Sequence, residues 1–189
     1  MALVLNEEQS MLRDSARSFL AAEAPVSHLR ALRDGRDAKG YAPALWARCT
    51  EMGFAGVLVA EEHGGLGLSL TDAAVIAEEI GRTLAPLPYL STAVIGARLL
   101  ASSGNKAAQA QWLPKIAAGT AITALALEEH ARHRPQAIAT EAKTAGAGYK
   151  ISGAKVFVLD GHVADVLFVA ARTSPAQAGR DGISVFAVS

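Results

Sequence analysis

The 189-residue chain reads as an α+β protein, an N-terminal all-helical bundle followed by an incomplete antiparallel β domain. Three observations carry this. Apolar residues recur at helical spacing through the first part of the chain, beginning with Met11, Leu12, Ala16, Phe19 and Leu20. The stretches Ala97–Ala101 and Ala107–Ala118 are rich in the residue of highest intrinsic helix propensity. From Ala121 the pattern changes to short apolar or β-branched runs separated by Gly, Ser and Asp. The expected boundary gives residues 1–119 to the helical domain and 120–189 to the β domain.

Asn6 and Gln9 make a capping pair, so the first helix is expected over Glu7–Glu23. Pro43 in a first-turn position, then Leu45, Trp46, Cys49 and Met52 on one face, predict a second helix stopped by Gly53, with a polar loop from Gly35 to Gly40 between the two. Residues 54–70 hold too many glycines for a helix interior, where each costs about 1 kcal/mol relative to Ala, so an ordered loop is expected. Ser69 and Asp72 form another capping box, opening a helix that Pro86 and Pro88 end. Two further helices are expected over Thr92–Ser102 and Asn105–Ala118, stopped by Gly104 and Gly119. Strands are expected at Ile122–Leu127, Tyr149–Ile151, Lys155–Leu159, Val163–Ala171 and Ile183–Val188. The last runs into Ser189 with no covering segment, which suggests missing material or a partner, because an unpaired strand is an aggregation liability.

Composition narrows the function classes. Hydrophobic residues make up 51% and charged residues 19%, so a packed core is expected rather than disorder. Eighteen Lys+Arg balance eighteen Asp+Glu, which argues against nucleic acid as a partner. Residues 1–21 interleave charges with apolar positions and form neither a secretory core nor a membrane span, so a soluble, cytoplasmic protein is expected. Cys49 is the single cysteine; no intramolecular disulfide can form, and its setting beside Trp46 and Met52 reads as a small core residue rather than a nucleophile.

Five collinear blocks resemble the acyl-CoA dehydrogenase family: Asn6–Phe19, Met52–Val57 with Glu61–Gly67, Glu78–Arg82, Gln111–Gly119, and Gly148–Lys155 running through Ala164–Leu167 to Arg172. Singly they say little, since Gly64, Gly65 and Gly67 could mark a surface turn and Trp112 a core position. Their order gives them weight. The resemblance implies FAD-dependent 2,3-dehydrogenation of an acyl-CoA thioester, in which a carboxylate takes the α proton and the flavin a hydride from the β carbon. The family's base belongs to a C-terminal helical domain, or lies elsewhere in a minority of members, so no catalytic residue is assigned.

In this family a Thr-Glu-Pro-x-x-Gly-Ser-Asp segment meets the flavin and, through its Ser, the CoA. Gapless counting places Leu127–Arg134 there, and only Glu128 matches. The family's Lys-x-Trp-Ile-Thr segment corresponds to Lys155–Leu159, where Phe157 keeps an aromatic plane and Leu159 keeps no hydroxyl. The resemblance therefore implies Leu125, Leu127, Phe157, Val158 and Leu159 as cofactor-binding positions, acting through backbone N–H groups and the Phe157 ring, and His133 and Arg134 as substrate-binding positions. The loss of both hydroxyls suggests the degenerate subunit of a mixed oligomer. Homo- or hetero-oligomerisation with another acyl-CoA dehydrogenase subunit is expected, and the wording of Val158–Asp165 is similar to partners that act on steroid side-chain and other bulky acyl-CoA substrates. Glu128, Glu129, His130 and His133 could in principle ligate a metal, but a solvated loop with Arg132 and Arg134 balancing the carboxylates is the favoured reading, and no metal is assigned. The same basic residues could instead meet CoA phosphates.

Overall fold

The computed structural model describes residues 4–174 and 181–189. The chain divides into two compact units, residues 1–121 and 122–189.

The first unit is helical. α1 spans Glu7–Glu23, with the Asn6 side chain accepting the Gln9 N–H at 2.7 Å and the Gln9 side chain accepting the Asn6 N–H at 3.2 Å. α2 (Val26–Asp34) was not expected: it buries no residue completely and has no side-chain cap. Its signal was the spacing of Val26, Leu29 and Leu32, diluted by charges over a short stretch. α3 spans Pro43–Glu51, and α4, opened by the Ser69–Asp72 box, spans Leu70–Thr83. The loop between them is ordered by backbone bonds from Leu66 to Gly56 (2.9 Å), Gly67 to Val59 (2.8 Å) and Leu68 to Val57 (2.9 Å). The next helix begins earlier than expected, as a π-helical stretch over Tyr89–Gly96 that runs into α5 (Ala97–Ser102). α6 spans Lys106–Ala117.

Leu20, Trp46, Phe54, Ile76 and Ile116 form the centre of this unit, each such side chain contributing about 1.5–3 kcal/mol when fully withdrawn from water. Phe19 meets Phe54 edge to face at 6.0 Å. One carboxylate is buried with them: Glu79 of α4 is 1% exposed and accepts paired bonds from Arg17 of α1 at 3.1 and 2.8 Å. The Arg17 guanidinium holds the Glu79 carboxyl below its usual range. Cys49 lies in the same core, 1% exposed, and burial pushes its thiol up to about 12. Iodoacetamide should therefore leave Cys49 unmodified in the native protein and label it only in denaturant; mass spectrometry of the alkylated chain reads this directly.

The second unit contains β1 (Thr123–Ala126), β2 (Glu141–Ala145), β3 (Gly148–Ser152), β4 (Val166–Arg172) and β5 (Ile183–Val188). The α+β class stands, but the sheet is mixed rather than antiparallel. β4 is its hub: Val166–Val169 pair with β1 in parallel, Leu167–Arg172 pair with β5 antiparallel, and Arg172 lies opposite Glu141 of β2. Among the described residues, the antiparallel pairs are β2–β3 and β4–β5. Turn residues announce local chain reversal and carry no information on the β1–β4 pairing, which joins strands some forty residues apart.

One strand was not expected and one expected strand is corrected. β2 was not foreseen because its sequence, Glu-Ala-Lys-Thr-Ala, buries only Ala142 and shows no apolar run. Residues 155–159 are not a strand: Phe157 has φ 53° and Asp160 φ 57°, both in the left-handed region, and tight turns follow from Gly161 N–H to Val158 O (3.1 Å) and from Val163 N–H to Asp160 O (3.1 Å). Val156 and Val158 gave that segment its β-branched look, but strand propensity depends on context, and the left-handed residues and tight turns leave no extended run here.

Candidate functional site

The second unit brings together most of the positions singled out above. At the end of β1 the chain runs through Leu127, Glu128 and Glu129, and the segment 155–156 lies beside it: Val156 N–H donates to Glu128 O at 2.8 Å, and Lys155 Nζ donates to Leu127 O at 3.2 Å. Leu127 and the turn carrying Phe157, Val158 and Leu159 are therefore neighbours. The Phe157 ring is 77% exposed and Leu159 48%, a large apolar surface to leave open on a turn. Val158 lines a cleft of about 480 Å³ with Ala126, Lys155, His162, Leu167 and Val169. Leu125 is not part of that cleft. Strand alternation puts its side chain on the opposite face from Ala126, beside Phe168, so only its backbone shares the neighbourhood.

The loop from residue 128 to 140 is fixed by three separate clamps. Glu128 accepts the backbone N–H of Arg134 at 3.1 Å and pairs with His133 Nδ1; the Arg134 N–H first, and His133 after it, hold the Glu128 carboxyl below its usual range. Arg172 is 9% exposed and donates to Ile138 O (2.8 Å), Gln136 O (2.9 Å) and Asp181 O (2.9 Å). Glu129 makes the third and strongest clamp. Its carboxylate accepts from Ala139 N (2.6 Å), Thr140 N (3.0 Å), Thr140 Oγ1 (2.6 Å) and Lys155 Nζ (2.7 Å). Burial alone would raise this carboxyl, but the Lys155 ammonium and the other donors bring it down to about 2.

The expectation for the acidic loop is thereby corrected in its detail. Glu129 is not solvated and is not balanced by Arg132 or Arg134; its side chain is 8% exposed, as is that of Lys155, its true partner. His133 and Arg134 are exposed on the loop surface and within one residue of each other, anchored through Glu128. Sequence reasoning missed Glu129, Thr140, Lys155 and Arg172 as the frame of this region. A lysine opening an otherwise apolar run was the one available signal for Lys155, and its partner, twenty-six residues earlier, was not marked by any spacing.

A family profile described as "Acyl-CoA dehydrogenase, N-terminal domain" matches residues 6–120. The long-chain specific acyl-CoA dehydrogenase, mitochondrial, of Rattus norvegicus is 31% identical over 188 residues, 98% of this chain and 43% of the rat protein. The crystal structure of an acyl-CoA dehydrogenase from Geobacillus kaustophilus superposes with a TM-score of 0.82 at 30% identity, covering 100% of this chain and 49% of that one. A variant of a steroid ACAD, Tcur3481-Tcur3483, gives 0.81 at 32%, covering 96% and 48%. The chain thus spans less than half the length of these relatives.

Proposed function

The chain belongs to the acyl-CoA dehydrogenase family, and on that footing we propose that it serves in flavin-dependent 2,3-dehydrogenation of an acyl-CoA thioester, as an acyl-CoA dehydrogenase or one subunit of it. The observation that carries this is the pairing of residues 127–128 with Lys155 and Val156, which places the turn bearing the uncovered Phe157 ring next to the end of β1.

These residues fit one part of FAD better than the other. The exposed Phe157 ring, with Leu159 beside it, suits the flat apolar face of an isoalloxazine. The polar edge has to be met by backbone N–H groups of Leu125, Leu127, Val158 and Leu159, because the side chains at 127 and 159 carry no donor. When bound, the flavin would supply the acceptor for the two electrons leaving the substrate. The chain's own residues hold and shield that ring, and His133 and Arg134 offer cationic and hydrogen-bonding groups suited to CoA phosphates.

The two leucines favour a second reading, in which the chain is a non-catalytic assembly subunit of a mixed acyl-CoA dehydrogenase and does not hold FAD. The likeness at 32% identity to the Tcur3481-Tcur3483 steroid ACAD variant is compatible with such an assembly. Visible absorbance of the purified protein separates the readings. A yellow chain whose flavin affinity drops in Phe157→Ala supports the first; a colourless one that completes an active enzyme only with a co-expressed subunit supports the second. Under the first reading, Leu159→Thr should tighten flavin binding about fivefold, the worth of one net hydrogen bond of about 1 kcal/mol. Unchanged or weaker binding in a titration followed by flavin fluorescence would count against backbone N–H groups and this edge sharing one site.

A further inference from the structure

Of the two adjacent carboxylates at the end of β1, the one retained from the family's motif is Glu128, yet its His133 partner is 76% exposed, and an ion pair so open to water contributes little. Glu129 is the one that is withdrawn from water and grips both sides of Lys155. On one side it binds the ammonium itself. On the other it binds Thr140, whose Oγ1 would lie 2.4 Å from any Cβ at Gly153, so the chain entering Lys155 runs flush against a residue that Glu129 has already fixed. Two residues beyond Lys155, and five beyond the end of β3 at Ser152, the backbone turns into the left-handed region at Phe157. The tethers that aim this turn are the Lys155 bonds to Leu127 O and Glu129, and the Val156 N–H bond to Glu128 O.

We propose that Glu129 is a positioning residue: through the ammonium of Lys155 it fixes the turn of residues 156–159 against the end of β1, and so sets how tightly the flavin ring is held. The flavin half of this inference rests on the function proposed above; the positioning half stands by itself. Because Glu129 and Lys155 neutralise each other, removing both charges together spares the fold the cost of an orphaned ion and isolates the positioning role.

The test uses the full chain carrying Glu129→Gln and Lys155→Met together, with Lys155→Arg as the variant that keeps a cation beside Glu129. Three quantities are read: thermal midpoint, amide hydrogen exchange at Val156, and flavin affinity by fluorescence titration. The expected result is a midpoint within about 3 °C of wild type, Val156 exchange at least about tenfold faster and flavin bound about tenfold more weakly. Lys155→Arg should restore slow exchange and wild-type affinity. Unchanged exchange at Val156 in the folded double variant overturns the proposal, as does faster exchange with unchanged flavin affinity. If the double variant does not fold, Glu129→Gln alone is read instead: wild-type exchange at Val156 in that folded chain overturns the proposal, and faster exchange with weaker flavin binding supports it. A wild-type chain that takes up no flavin removes the flavin half along with the reading it rests on, while the exchange rate at Val156 still decides the positioning half.

Discussion

Glu129→Ala is expected to destabilise the β unit by about 3–5 kcal/mol, the range for breaking a buried ion pair by deleting one partner. The deletion leaves the Lys155 ammonium, 8% exposed, with a single carbonyl partner at 3.2 Å, and it strips acceptors from Ala139 N–H and Thr140 N–H. Urea denaturation followed by hydrogen exchange should show the loss concentrated in residues 122–189, with the helical unit little changed. The effect also has a pH signature. The Glu129 carboxyl sits at about 2 in the folded protein against an ordinary 4.5, so its stabilisation is complete above about 4.5 and fades as the pH falls toward 2. Wild type should lose stability across that interval, and Glu129→Gln should lose less, since it has no such proton to take up. Equal slopes for the two chains would show that other groups drive the acid response.

Gly65→Ala is expected to cost about 3 kcal/mol in the helical unit, at the upper end for overpacking, equivalent to roughly 6–12 °C in thermal midpoint for a chain of this size. A Cβ at residue 65 would sit 2.1 Å from Val59 O and 2.5 Å from Val59 C, backbone atoms that the Gly67 N–H bond to Val59 O holds in place at 2.8 Å. The loop cannot open at that point without breaking its own ladder. Gly64→Ala provides the contrast: nothing lies within 4 Å of its Cβ, and its penalty comes only from φ 81°, about 1–2 kcal/mol. A thermal melt in which the two variants fall equally would mean that backbone conformation, not the approach of Val59, requires glycine here.

Helix limits were legible wherever a local rule decides them. The Asn6–Gln9 box set the start of α1, Pro43 the start of α3 and Ser69–Asp72 the start of α4, because each satisfies orphaned helix N–H groups or fixes φ within a few residues. α2 escaped notice because its stripe is short and only half buried, and β2 because an exposed strand of Glu, Ala, Lys and Thr has no hydrophobic period to read. Residues 155–159 misled in the opposite direction: β-branched side chains announced a strand that the left-handed backbone at Phe157 and Asp160 breaks.

The candidate site divides along the same line. The kinds of residue at 127, 157 and 159, including the two missing hydroxyls, belong to the sequence alone. That Leu127 and the 157–159 turn are neighbours, that Leu125 turns its side chain away from the cleft, and that Glu129 rather than Glu128 is the buried anchor depended on tertiary structure. The physical reason is the range of the forces involved. Caps, turns and helical periodicity act over a few residues and leave a mark at fixed spacing, whereas strand pairing across some forty residues and an ion pair across twenty-six are chosen by the balance of burial and desolvation over the whole unit, which no spacing in the chain encodes.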